Sequence, residues 1–112
     1  MDTTRQNKIS RLIQKELGEI LQRQGRSHFG GAMITVTNVI ITKDLSLAKV
    51  YLSLFATKDK NELLKKIESN TREIRMNLTQ KVKNQLRIMP DLKFYIDDAL
   101  DYIDNIDNLL KQ

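Results

Sequence analysis

The chain has 112 residues, about one domain, with 40% hydrophobic and 29% charged side chains, a balance that fits a folded domain rather than a disordered one. It holds no cysteine and one histidine, which excludes disulfides, thiolate metal sites, a cysteine nucleophile and a multi-histidine metal cluster. The formal charge of +5 is unevenly spread: residues 1–89 hold seventeen bases against eight acids, and residues 90–112 hold two against six. A concentrated positive field draws polyanions, nucleic acid first among them. No apolar run approaches the ~18 residues of a membrane span. Met1-Asp2-Thr3-Thr4-Arg5 lacks the apolar stretch of a secretory signal. A single domain over residues 1–112, in the reducing cytoplasm and away from membranes, is the expectation.

Residues 3–24 have helical spacing, with Ile9, Leu12, Ile13, Leu17, Ile20 and Leu21 on one arc. Thr3 and Gln6 have the form of a capping box at its start. Arg5, Lys8, Arg11 and Lys15 fall on the opposite arc, whose first half is wholly basic. A loop is predicted over residues 25–32, where Gly25, Gly30 and Gly31 free the backbone. Residues 33–42 are rich in β-branched side chains and predict a strand, with a bulge near Asn38 where the alternation slips. A tight connection over 43–46 leads to a second strand over 47–57. There Ala48, Val50, Leu52, Leu54 and Ala56 face a core, and Lys49, Tyr51, Ser53, Phe55 and Thr57 face away. The two strands predict an antiparallel hairpin.

Asp59 and Glu62 mark a helix start, and Leu63, Leu64, Ile67, Ile74, Leu78, Val82 and Leu86 keep one arc to about Ile88. A single helix of that length exceeds the usual ~8–20 residues. Ser69-Asn70-Thr71 are weak helix formers, so a break is predicted at 69–71, with Asn70 and Glu73 as a second cap. Pro90 ends the paired helices. Leu92, Phe94 and Ile96 alternate with Lys93, Tyr95 and Asp97 as a third strand. Asp97 or Asp98 then caps a short acidic helix over 99–112. Its Leu100, Ile103, Ile106 and Leu110 point inward, and Asp98, Asp101 and Asp104 point outward.

Catalytic patterns are absent from this sequence. It has no phosphate-binding glycine loop of Walker or dinucleotide type and no serine in a nucleophile elbow. His28 sits in the glycine-rich loop with no partner in view, and the aspartates lack the spacing of a calcium loop. No catalytic residue, metal or cofactor is expected.

The order helix-strand-strand-helix-helix-strand resembles the type II K-homology domain, which binds single-stranded RNA with a Gly-x-x-Gly loop between its paired helices. No Gly-x-x-Gly occurs here. One family shares the order without that loop, and the chain resembles it along nearly its whole length: the ribosome-binding factor A family. The resemblance is carried by Ile34-Thr35-Val36-Thr37-Asn38-Val39, by Asp44-Leu45-Ser46-Leu47-Ala48-Lys49-Val50-Tyr51-Leu52-Ser53 and by Ile74-Arg75. Leu86-Arg87-Ile88-Met89-Pro90-Asp91-Leu92-Lys93-Phe94, Asp97-Asp98-Ala99-Leu100 and Ile106-Asp107-Asn108-Leu109-Leu110 continue it. The family marks its interhelical kink with Ala-x-Gly; the matching positions here are Asn70, Thr71 and Arg72, where asparagine can take the left-handed backbone that glycine would supply.

The resemblance implies an α+β fold in two layers, with helices on one face of a three-stranded sheet. It also implies a non-enzymatic factor, monomeric off the ribosome, that binds the immature 30S subunit and 16S rRNA in late maturation. In some bacteria an assembly GTPase assists release, and support of growth in the cold is a family trait. The residues themselves point the same way. Besides the first-helix cations, Arg72, Lys83 and Arg87 share one sector of the paired helices, joined by Lys65 if the bend is gentle. Arg75 lies at the edge of the apolar arc and Lys81 on the other flank. RNA-binding candidates are thus Arg5, Lys8, Arg11, Lys15, Arg72, Arg75, Lys81, Lys83 and Arg87. For Arg75 a structural role is the alternative, with its stem on the core and its head on a carbonyl or carboxylate. Aromatic residues are only 5%, so contacts to phosphate and ribose are expected over base stacking. The competing reading is a basic protein-interaction module that docks an acidic protein, with the Tyr51 and Phe55 side of the sheet available to it.

Overall fold

The computed structural model describes residues 4–55 and 57–97. Its elements are α1 (Thr4–Ser27), β1 (Met33–Ile41), β2 (Leu47–Phe55), α2 (Lys60–Ser69), α3 (Thr71–Val82) and β3 (Asp91–Ile96). The expected acidic C-terminal helix, the cap at Thr3 and the inward-facing Ala56 lie outside the described residues.

The strands stand in the order β1-β2-β3. β1 and β2 form the expected antiparallel hairpin; β3 adds to β2 in parallel, from Leu47 opposite Asp91 to Leu52 opposite Ile96. A parallel neighbour needs a crossover, and α2 with α3 supplies it. The hairpin register slips between Val36 and Asn38, which places the bulge at Thr37. The freed Thr37 hydroxyl reaches the Asp97 carboxylate at 2.7 Å and so ties the end of β3 to β1.

One face of the sheet is covered by helices. Val50, Leu52 and Leu54 are buried against Ile13, Leu17 and Leu21 of α1 and Ile67, Ile74 and Leu78 of the paired helices. Burial of such side chains contributes ~1.5–3 kcal/mol each. Gln6, Ser10 and Ser53 are buried polar residues; Gln6 is 4% exposed, and its Nε2 donates to the Ile41 carbonyl at 2.9 Å, joining the start of α1 to the end of β1.

β1 and β2 end at Ile41 and Phe55, one and two residues short of expectation, and two helix ends and the form of the interhelical break also differ. α1 runs through Gly25 to Ser27 instead of stopping at residue 24. Gly25 is required there by crowding, because a Cβ would collide with the Ala32 backbone carbonyl. Beyond the helix end at Ser27, Gly30 with φ of 65° reverses the chain, and the Gly31 amide donates to the Gly25 carbonyl at 2.9 Å.

The interhelical break falls at Asn70, inside the expected window, but neither as a left-handed residue nor as a side-chain cap. Its φ and ψ are −101° and 9°, and its side chain makes no capping bond to α3. Instead, Ser69 Oγ and Asn70 Nδ2 donate to the Lys66 carbonyl, and Thr71 Oγ1 donates to that of Glu68. Three polar side chains thus satisfy carbonyls that the ending helix leaves free.

α3 stops at Val82, well short of Ile88. The Gln85 and Leu86 amides both donate to the Val82 carbonyl, and this single extra turn keeps Leu86 packed on the core after the helix has ended. That turn is why the apolar spacing runs past the true boundary.

Candidate nucleic-acid interface

Arg5, Lys8, Arg11 and Lys15 are exposed on α1, as their spacing required. In the second half of the helix Glu16 and Glu19 both lie 3.8 Å from Lys81 Nζ, so acids of α1 meet a base of α3. The uncompensated positive charge of α1 is therefore greatest towards its start.

Arg72 and Lys83 are exposed near the two ends of α3. Eleven residues at about 100° each return to the same side, so they share a face about 16 Å long. Arg87 does not join that face, because the helix has ended five residues before it. Lys65 is exposed on α2, beyond the break.

The turn after α3 carries Arg87 elsewhere. It lines a concavity of about 690 Å³ with Arg5, Lys8 and Thr4 from α1. Ile9, Leu45, Leu86 and Ile88 form most of the remaining wall, with Gln85. No acidic side chain lines this space among the described residues, and none of its three cations has an ion-pair partner among them. Residues more than eighty positions apart in sequence thus combine into one positive rim.

Arg75 has a different employment. Its Nη2 donates to the Met89 carbonyl at 2.8 Å and its Nε to that of Pro90 at 3.2 Å, with the Asp91 carboxylate at 3.7 Å. The structural alternative for this residue is the one observed: its head clamps the segment that leads into β3. Since Arg87 belongs to that segment, Arg75 positions one wall of the concavity.

Leu45 stands in the β1–β2 turn with φ of 62°, a conformation that a bulky residue rarely adopts. The turn is held by Asp44 Oδ1, which accepts from the Ser46 and Thr42 hydroxyls, both at 2.7 Å, and from the Ser46 amide at 3.1 Å. These bonds, the Ser46 hydroxyl foremost, hold the Asp44 carboxyl below its ordinary pKa. The sequence marked this turn but gave no sign that Leu45 would face the basic start of α1. The sheet face opposite α1 carries Tyr51 stacked on Tyr95 at 5.3 Å, with Lys93 Nζ 5.5 Å from the Tyr95 ring.

Comparison with known proteins bears on the family and the fold. The family model for ribosome-binding factor A matches residues 5–110. The protein of that name from Flavobacterium johnsoniae is 49% identical over 111 residues, covering 98% of this chain and 85% of that protein. The one from Cytophaga hutchinsonii is 41% identical over 112 residues, covering 100% and 84%. Among solved structures, the crystal structure of ribosome-binding factor A from Thermus thermophilus superposes with a TM-score of 0.68 at 22% identity, covering 81% of this chain and 94% of that one. A homology model of the Thermus thermophilus ribosome-binding factor A, fitted into a cryo-electron-microscopy map of its complex with the 30S subunit, gives a TM-score of 0.62 at 25% identity, covering 78% of this chain and 89% of that one. The K-homology-like order is thus the fold of these neighbours, and the chain is a member of the ribosome-binding factor A family.

Proposed function

We propose that this chain binds immature 30S subunits, contacts 16S rRNA and supports late small-subunit maturation as a cytoplasmic, non-enzymatic factor. The observation that carries the reading is the rim of Arg5, Lys8 and Arg87, brought together from distant parts of the chain, with no acid among the described residues lining the space between them. Arg11 and Lys15 extend it along α1, and Arg72 and Lys83 provide a second cationic face on α3. Lysine and arginine on a folded scaffold suit phosphates held in a fixed shape. Asn70, Thr71 and Arg72 set the angle between the paired helices and hence where the second face points. Arg75 and Lys81 act mainly by holding walls in place, through the carbonyls of Met89 and Pro90 and the carboxylates of α1.

Family membership, together with the 30S complex of the Thermus thermophilus relative, selects the small ribosomal subunit among possible polyanions. Monomeric behaviour off the ribosome, release assisted by an assembly GTPase and support of growth in the cold complete the reading. The test is sedimentation of cell extract on a sucrose gradient. The protein is expected with free 30S particles and absent from 70S ribosomes. Equal amounts on both would contradict a role confined to assembly.

A further inference from the structure

The concavity has a property that phosphate binding does not require. Its cations stand around an apolar floor. Ile9, Leu45 and Leu86 are half-buried on the core, and Ile88 is 70% exposed at the edge. A surface that only gripped phosphates would gain nothing from exposing these side chains. Leu45 adds an independent observation. Its left-handed backbone is one that glycine or asparagine would adopt with less strain, yet a branched apolar side chain stands there and lines the space. At about 690 Å³ the space falls within the range of clefts that enclose small ligands.

We propose that the concavity between α1, the β1–β2 turn and the segment after α3 takes one unstacked nucleotide of single-stranded RNA. Its base lies on Ile9, Leu45 and Ile88, and its phosphates lie among Arg5, Lys8 and Arg87. The inference rests on the RNA-binding reading above and sharpens it from a general attraction for folded RNA to a preference for a strand with a free base. A duplex keeps its bases stacked inside and cannot offer one to this floor, whereas an unpaired strand can. The guanidinium planes of Arg5 and Arg87 are also suited to cover a base from above. An acidic peptide bearing leucine would satisfy the same charges and floor. RNA is favoured because family and charge already select it.

The test is a fluorescence-anisotropy titration of the full chain with a single-stranded oligoribonucleotide of mixed sequence and with its blunt duplex. Leu45→Gly and Ile88→Ser remove floor without touching charge; Arg5→Glu with Arg87→Glu removes charge without touching floor. The wild type is expected to bind the single strand more tightly. Each floor variant should lose roughly tenfold on the single strand, as for a lost base contact, and nothing on the duplex. The charge variant should lose on both. Ile88 is largely exposed, so its variant keeps the fold and carries the test even if Leu45→Gly does not.

Floor variants that bind the single strand like wild type, or that lose strand and duplex equally, would overturn the base pocket while leaving the cationic interface standing. A charge variant with unchanged binding would overturn both readings. Floor variants that lose a glutamate-leucine peptide but keep the RNA would assign the space to a protein partner and overturn the proposal.

Discussion

Gly25 shows how much one missing methyl group can decide. It lies buried within α1, where alanine would otherwise be the better residue by about 1 kcal/mol. The Ala32 carbonyl occupies the place of its Cβ, and neither backbone can move without disturbing the start of β1. Gly25→Ala should therefore destabilise the fold, by about 1–3 kcal/mol of overpacking. Urea denaturation measures this, and an unchanged midpoint would mean that the helix end yields freely. Asp44 permits a second test at this scale. Its carboxyl is held below the ordinary value by the Ser46 and Thr42 bonds, so its stabilisation of the turn is complete above the unfolded pKa and is lost as pH falls through the folded one. Followed by carboxyl-carbon NMR, the Asp44 midpoint should rise in Ser46→Ala. An identical midpoint in both proteins would mean that the Ser46 hydroxyl does not hold the charge. Leu45 sits on this turn, so the same titration reports on a wall of the concavity.

The elements were legible where a period met a single buried face. β2 shows this best: Ala48, Val50, Leu52 and Leu54 are all buried, as covering one face of a pleated strand requires, although Ser53, expected on the outward face, is buried as well. The bulge was visible for the same reason, as a slip in alternation that reappears as a slip in register. The end of α3 was not visible, since Leu86 continues the helical spacing through a turn that is no longer helix. The parallel direction of β3 was also hidden, because alternation is blind to strand direction.

The α2–α3 junction lies between these cases. The weak helix formers located it, yet the means proved to be side chains bonded back to α2 instead of a left-handed residue. Asn70→Ala with Thr71→Ala removes two of those bonds and favours continuous helix. Stability should change by under about 1 kcal/mol, since such exposed bonds are individually worth little. Affinity for 30S particles should fall as the angle between the helices opens. Unchanged affinity would make the junction a detail of folding alone.

At the scale of the whole molecule, sequence spacing resolves the two sets of cations but not their meeting. It correctly sets Arg5 and Lys8 on an outer face of α1. It groups Arg87 with Arg72 and Lys83, because it carries the helix too far; only packing of the segment after α3 against α1 brings Arg87 to Arg5 and Lys8. That convergence is what the functional account depends on. The most direct measurement is the affinity of the full chain for immature 30S particles across a range of salt, for wild type and for Arg5→Glu with Arg87→Glu. Reversal of Arg23 and Arg26, exposed near the other end of α1, makes the same change in total charge and serves as the control. Exposed charges contribute little to stability, so all three proteins should melt alike. The Arg5–Arg87 variant should bind at least about tenfold more weakly, with a log–log salt slope shallower by roughly 0.7–0.9 per lost phosphate contact, while the control stays near wild type. Equal losses in both variants, or none in the Arg5–Arg87 variant, would contradict the functional account.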